Sequence, residues 1–222
     1  FSATGETLGV KFGWAVGTAG DVNGDGYSDL VVGAPNYGGN WNRGLVSIYH
    51  GSAAGLSATL AFTATDQQDG DYFGLAVGPA GDVNGDSYAD LVIGAAGFAG
   101  WRGKVYLFHG SATGLSPGPA DWTAEGEAPT DRFGAAVATA GDVNGDGFAD
   151  LVVGAQTYDE PAKIDAGKIN LYYGSPGGLD SIPAWSAAGE NAYDSVGAAV
   201  ATAGDINGDG VGEAIPFYTR PD

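Results

Sequence analysis

Four nonapeptides carry most of the chemistry that can be read from this chain. They are Asp21-Val-Asn23-Gly-Asp25-Gly-Tyr27-Ser-Asp29, Asp82-Val-Asn84-Gly-Asp86-Ser-Tyr88-Ala-Asp90, Asp142-Val-Asn144-Gly-Asp146-Gly-Phe148-Ala-Asp150 and Asp205-Ile-Asn207-Gly-Asp209-Gly-Val211-Gly-Glu213. Positions 1, 3 and 5 are Asp, Asn and Asp in every copy, so a short turn wraps alternate side-chain oxygens around one point. Calcium takes six to eight oxygen ligands, and a loop of this kind supplies them from positions 1, 3, 5 and 9 plus the carbonyl of position 7. We therefore expect one Ca²⁺ per loop, three to four ions in all. Position 7 (Tyr27, Tyr88, Phe148, Val211) is expected to contribute only its carbonyl, consistent with its variable side chain.

Position 12 separates this loop from the helical calcium loop. It is Val32, Ile93, Val153 and Pro216, so the bidentate Glu is missing and the flanks are strands. The second loop has Ser87 at position 6, where a sharp turn favours glycine, and is expected to be strained. The fourth, with Glu213 at position 9 and Pro216 in the strand that follows, is the least secure. A plain hairpin turn would use the same Asn-Gly and Asp-Gly pairs. Three acids in nine residues would nevertheless repel one another without a cation, and the pattern recurs four times in register.

The elements that must position these loops recur with them, at a period of about sixty residues. Before each loop stands Phe12-Gly13, Phe73-Gly74, Phe133-Gly134 or Val196-Gly197. After it comes an apolar run ending Gly33-Ala34-Pro35, Gly94-Ala95-Ala96 or Gly154-Ala155-Gln156. An alternating run then ends in Gly51-Ser52, Gly110-Ser111 or Gly174-Ser175, and an aromatic-led segment opens at Phe1, Phe62, Trp122 or Trp185. The runs are short, β-branched and bounded by turn residues, with no sustained helical period.

Four strands per unit in tandem predict an all-β β-propeller of four-stranded blades. Ala15, Ala76 and Ala136 suit the crowded axis, and the larger aromatics suit the outer strands. We read the chain as one partial propeller domain over residues 1–222, with repeats at 1–61, 62–121, 122–184 and an incomplete 185–222. That amounts to about three and a half blades. A closed ring of four blades needs roughly 240 residues at this blade length, so we expect the chain to be part of a larger ring. Further blades or self-association of a second copy would also close it, as would completion of a tight ring by the N-terminal strand.

Composition sets limits. A net charge of −19 argues against nucleic acid or an anionic membrane surface as partner. Twelve of the 27 acids lie inside the nonapeptides, where a cation would offset them. There is no cysteine, no apolar run in these residues is long enough to span a bilayer, and none of them reads as a signal peptide. With no methionine at all, the chain reads as a processed product or a segment of something longer. His50 and His109 occupy matching repeat positions and are replaced by Tyr173 in the third unit, so no catalytic constellation emerges and the chain is read as a non-enzyme.

Phe-Gly, then the Asp-x-Asn-x-Asp-Gly loop, then Gly-Ala-Pro resembles the FG-GAP repeat of the integrin α-subunit N-terminal β-propeller and of its bacterial relatives. The resemblance covers nearly the whole chain. It implies a propeller with Ca²⁺ between the first two strands of each blade, in an extracellular, secreted or cell-surface protein. It also implies ligand binding on the opposite face, built here by residues 35–43, 96–102 and 156–166 with the segments near Lys11, Asp71 and Arg132. Gly-Ala-Pro is intact only once, and integrin propellers carry more blades than are counted here, so partner specificity does not transfer.

On that face the candidate ligand-binding residues are Tyr37, Trp41, Arg43, Phe98, Trp101, Arg102 and Tyr158. The leading expectation is a calcium-stabilised adhesion or interaction module for a protein or surface polymer. A carbohydrate-binding lectin is an alternative, because aromatic platforms suit sugar rings. A structural subunit of a surface assembly is another.

Overall fold

A computed structural model describes residues 2–5, 9–65 and 68–204, and the backbone of 213–217. Three four-stranded antiparallel sheets follow one another along the chain, each in simple meander order. The first holds β1 (Ala15–Gly20), β2 (Asp29–Ala34), β3 (Leu45–Tyr49) and β4 (Phe62–Thr65). The second holds β5 (Ala76–Gly81), β6 (Asp90–Ala95), β7 (Lys104–Phe108) and β8 (Trp122–Glu125). The third holds β9 (Phe133–Gly141), β10 (Asp150–Ala155), β11 (Lys168–Tyr172) and β12 (Trp185–Ala188). A final pair, β13 (Ala199–Gly204) and β14 (Glu213–Phe217), forms a two-stranded sheet. These are blades of a β-propeller whose ring is not closed in this chain. The aromatic-led segment that opens each sequence repeat after the first is the fourth strand of the sheet before it.

The middle sheet explains why the second-strand runs are apolar at every position. Leu91, Ile93 and Phe108 pack with Val31, Val46, Ile48 and Phe62 of the first sheet. Val92, Val105 and Leu107 pack with Phe133, Leu151, Val153 and Tyr172 of the third. Both faces of β6 are thus covered, so alternation disappears. Each such side chain contributes about 1.5–3 kcal/mol on burial. The small first strands lie side by side, β1 against β5 and β5 against β9.

The two glycine signatures of the repeat meet each other across the blade junction. A Cβ on Gly33 would stand 2.2 Å from the Gly74 carbonyl oxygen, one on Gly94 2.0 Å from that of Gly134, and one on Gly154 2.0 Å from that of Gly197. The Gly of each Gly-Ala run therefore abuts the Gly of the next unit's Phe-Gly. A second contact sits beside it, where Gly44, Gly103 and Gly167 make isolated parallel bridges to Phe73, Phe133 and Val196. Blades dock backbone to backbone here, and any side chain at the glycine would force them apart.

Two expectations are corrected. The N-terminal segment was expected to be an outer strand, but residues 2–5 form none, because no third strand of a preceding sheet stands beside them. Pro216 was expected to break the strand after the fourth loop. Instead β14 forms and Val200 pairs with Pro216. β14 is the edge of a two-stranded sheet, a place where a missing donor is tolerated.

Candidate metal centre and ligand face

Each nonapeptide joins the first strand of its sheet to the second, with position 9 as the first residue of the second strand. The described loops share one hydrogen-bond scheme. In the first, Asp21 Oδ1 and Asn23 Oδ1 accept from the same Asp25 N–H, at 3.0 and 3.1 Å, so two prospective ligand oxygens converge. Asp21 Oδ2 accepts from Gly26 N–H at 2.8 Å, and Asp25 Oδ1 accepts from Tyr27 N–H at 3.0 Å. Asn23 Nδ2 donates to Asp25 Oδ2. Asp82, Asn84 and Asp86 repeat this with Ser87 and Tyr88, as do Asp142, Asn144 and Asp146 with Gly147 and Phe148. Ser87 sits at φ 74°, the left-handed strain expected of the second loop.

Position 9, expected to ligate with positions 1, 3 and 5, also ties the loop to the chain behind it. Asp29, Asp90 and Asp150 are buried, and each spends both oxygens on backbone. Asp29 accepts from Val22 N–H at 2.9 Å and from Gly51 N–H at 2.8 Å. Asp90 does the same with Val83 and Gly110, and Asp150 with Val143 and Gly174. The glycine of each Gly-Ser is thereby explained. A Cβ on Gly51 would lie 2.3 Å from the Ser28 carbonyl oxygen, blocking this approach. Burial raises all three carboxyls above the ordinary range, Asp90 to about 6, and outweighs the two N–H bonds that favour the charged form.

The donor chemistry of the loops fits a hard cation, since the side chains at positions 1, 3 and 5 all carry oxygen donors. Among the described residues no three carboxylates or imidazoles are gathered into one ligating group, so a cation would be met by Asp and Asn oxygens together with a backbone carbonyl. Backbone N–H groups also temper the carboxylate repulsion. Of the fourth loop, Asp205, Asn207, Asp209 and Val211 lie outside the described residues, and Glu213 is described only as the first residue of β14.

At the other end of each sheet, the loop between second and third strands meets the strap before the next Phe-Gly. Tyr72 N–H donates to the Asn42 carbonyl at 2.9 Å, Arg132 N–H to Trp101 at 2.8 Å, and Ser195 N–H to Asp165 at 3.1 Å. All six of these residues are left-handed, with φ of 48° and 54°, 68° and 54°, and 50° and 52° for the three pairs. Side chains cost about 1–2 kcal/mol each in that conformation. Two of the pairs also touch through their side chains. Asn42 Nδ2 donates to Tyr72 Oη at 3.2 Å, and the Arg132 guanidinium lies 4.7 Å from the centre of the Trp101 ring. Tyr72 stacks on Trp101 with ring centres 5.2 Å apart. No local sequence signal marks these pairs, whose members stand about thirty residues apart.

The sequence candidates separate into three situations. Trp101 belongs to the Tyr72–Trp101–Arg132 stack. Trp41 and Tyr37 are exposed beside the first junction, where Arg43 Nε meets Asp69 Oδ1 at 2.7 Å. Phe98, Arg102 and Tyr158 turn toward the sheets: Lys104 lies over Phe98, Arg102 approaches Glu125 at 3.9 Å, and Lys168 lies over Tyr158.

A family model for the FG-GAP repeat matches residues 12–49, 73–108 and 133–169, together half of the chain. Each match opens on the Phe of a Phe-Gly pair and runs through the nonapeptide into the third strand. The chain belongs to the FG-GAP repeat family. It is 37% identical to "Integrin alpha-PS2" of Drosophila melanogaster over 177 residues, covering 72% of this chain and 12% of that protein. It is 36% identical to "Integrin alpha-6" of Gallus gallus over 159 residues, covering 68% and 14%. It is 35% identical to "Integrin alpha-V" of Gallus gallus over 171 residues, covering 70% and 16%. The chain thus spans less than a fifth of the length of these relatives. Among the described residues no helix is long and apolar enough to cross a membrane.

Proposed function

We propose that this chain is a calcium-stabilised extracellular interaction module that binds a protein ligand on the face opposite the metal loops. Asp21, Asn23, Asp25 and Asp29 and their counterparts hold Ca²⁺ together with the position-7 carbonyl. The carboxylates of Asp29, Asp90 and Asp150 tie each loop to the third strand behind it. The bound cation locks the turn that sets the spacing of the first two strands; it does not touch the ligand.

The observation that carries the ligand face is the set of three junction pairs. A chain with 41 glycines has ample means to place glycine at left-handed positions. It places Asn42, Tyr72, Trp101, Arg132, Asp165 and Ser195 there instead, on a face presenting their side chains. Side chains held at a conformational cost are a mark of a working surface. Family membership and the integrin relatives favour a protein ligand over a glycan, and binding over catalysis.

Immobilised chain tested against a panel of extracellular-matrix proteins, in Ca²⁺ and in EGTA, checks this reading. Binding is expected only with Ca²⁺, and Trp101→Ala with Arg132→Ala is expected to abolish it, while Trp185→Ala, exposed at 51% on the outer strand, leaves it intact. Binding that survives both the double substitution and EGTA overturns the proposal. Binding confined to a glycan array would support the lectin alternative.

A further inference from the structure

Position 7 of the loop does more than offer a carbonyl. The Tyr88 ring lies against Gly24 of the preceding loop: a Cβ on Gly24 would stand 2.5 Å from Tyr88 Cε1. The Phe148 ring lies against Gly85 in the same way, at 2.6 Å. The backbones are tied as well. Ala89 N–H donates to the Asp21 carbonyl at 3.0 Å, and Ala149 N–H to the Asp82 carbonyl at 2.9 Å. Behind them, Ser111 N–H donates to the Val22 carbonyl at 3.1 Å and Ser175 N–H to the Val83 carbonyl at 3.0 Å. Gly20 and Gly81 complete the seam, since a Cβ on either would be 2.4 Å from Ala89 Cβ or Ala149 Cβ.

Every one of these contacts runs in one direction. Residues 1, 2 and 4 of a loop are gripped by the next unit, through its positions 7 and 8 and its Gly-Ser turn. Tyr27, at position 7 of the first loop, is 44% exposed, whereas Tyr88 and Phe148 are half-buried against their neighbours.

We infer that Tyr88 and Phe148 are positioning residues for the metal site of the loop before their own. The aromatic ring packs on the glycine between the Asn and the second Asp. It thereby limits the turn to the curvature that brings the position 1, 3 and 5 oxygens together. The adjoining N–H bond fixes the peptide that follows Asp21 or Asp82. Calcium sites on successive blades are then coupled in chain order, each one completed by its successor. This inference rests on the calcium reading above.

The test is a calcium titration of the full 222-residue chain followed by ¹H–¹⁵N NMR, with Gly24 and Gly26 reporting the first loop and Gly85 the second. Tyr88→Ala is expected to raise the half-saturating Ca²⁺ of the first loop about tenfold, as loss of an outer-shell support does, with a smaller effect on its own loop. Phe148→Ala is expected to do the same to the second loop and leave the first unchanged. Tyr88→Phe keeps the ring and is expected to restore wild-type affinity, and Tyr27→Ala is expected to leave the second and third loops unchanged. A Tyr88→Ala chain whose first loop titrates within twofold of wild type while its second weakens overturns the inference and leaves the calcium reading standing. A wild-type chain in which no loop glycine shifts with Ca²⁺ overturns both.

Discussion

Substituting Gly94 by alanine tests the blade junction at its tightest point. The new Cβ would lie 2.0 Å from the Gly134 carbonyl oxygen and 3.0 Å from its carbon. A carbon rests no closer to a carbonyl oxygen than about 3.3 Å, so the junction must open by roughly 1.3 Å. Gly94 in β6 pairs with Ala76, and Gly134 lies in β9 at the register shift between Phe133 and Ala136; the clashing atoms are backbone, so no flexible side chain can swing away. Opening the seam loosens the packing of Val92, Val105 and Leu107 on Leu151 and Val153.

Overpacking of a well-filled core costs about 1–3 kcal/mol, and with backbone on both sides the upper end applies. Removing a glycine from the unfolded chain returns about 0.4–1 kcal/mol, for a net loss of about 2–3 kcal/mol. At about 2–4 °C per kcal/mol for a domain of this size, Tm falls by roughly 4–12 °C. Circular dichroism during thermal unfolding measures it. Gly118→Ala is the control, since the nearest atom to its Cβ is Ser116 Oγ at 3.7 Å and its φ is ordinary. A Gly94→Ala chain that melts within a degree of wild type would refute the glycine-to-glycine account of the repeat.

Other consequences can be measured alongside. Ser87→Gly relieves a left-handed side chain and is expected to raise stability by about 0.5–1 kcal/mol in urea unfolding. Asp90→Asn turns an amide donor toward the N–H groups of Val83 or Gly110 and is expected to cost about 1–3 kcal/mol in the same assay. In calcium-free buffer the raised carboxyls set the sign of the pH dependence. The folded state holds the Asp90 proton up to about pH 6, whereas an unfolded aspartate loses it near 3.9. The native state therefore binds more protons between those values, and stability is expected to rise as pH falls from 7 toward 5. Urea midpoints lower at pH 5 than at pH 7 would contradict burial as the cause of the shift.

The strands within each blade were legible because their signals are local. Leu30-Val-Val, bounded by an Asp turn and by Gly-Ala, reads as a strand, and so do its counterparts. The outer strand at Phe62 was visible from its aromatic start. What escaped sequence reading depends on partners in the next unit. Gly33 is an ordinary strand glycine until Gly74 is placed against it. Tyr88 looks variable because its ring serves Gly24, sixty-four residues away. The left-handed residues Asn42, Tyr72, Trp101 and Arg132 carry no glycine signal at all. Pro216 misled in the other direction, since edge position rather than residue type decides whether a proline ends a strand.

The central question is whether the nonapeptides bind calcium and hold the blades with it. Isothermal titration of the metal-free chain with CaCl₂, paired with melting curves at each saturation, decides this. We predict at least one ion for each of the described loops, and a Tm that climbs with free Ca²⁺ and returns on adding EGTA. No binding heat and an unmoved melting curve at millimolar Ca²⁺ would contradict it.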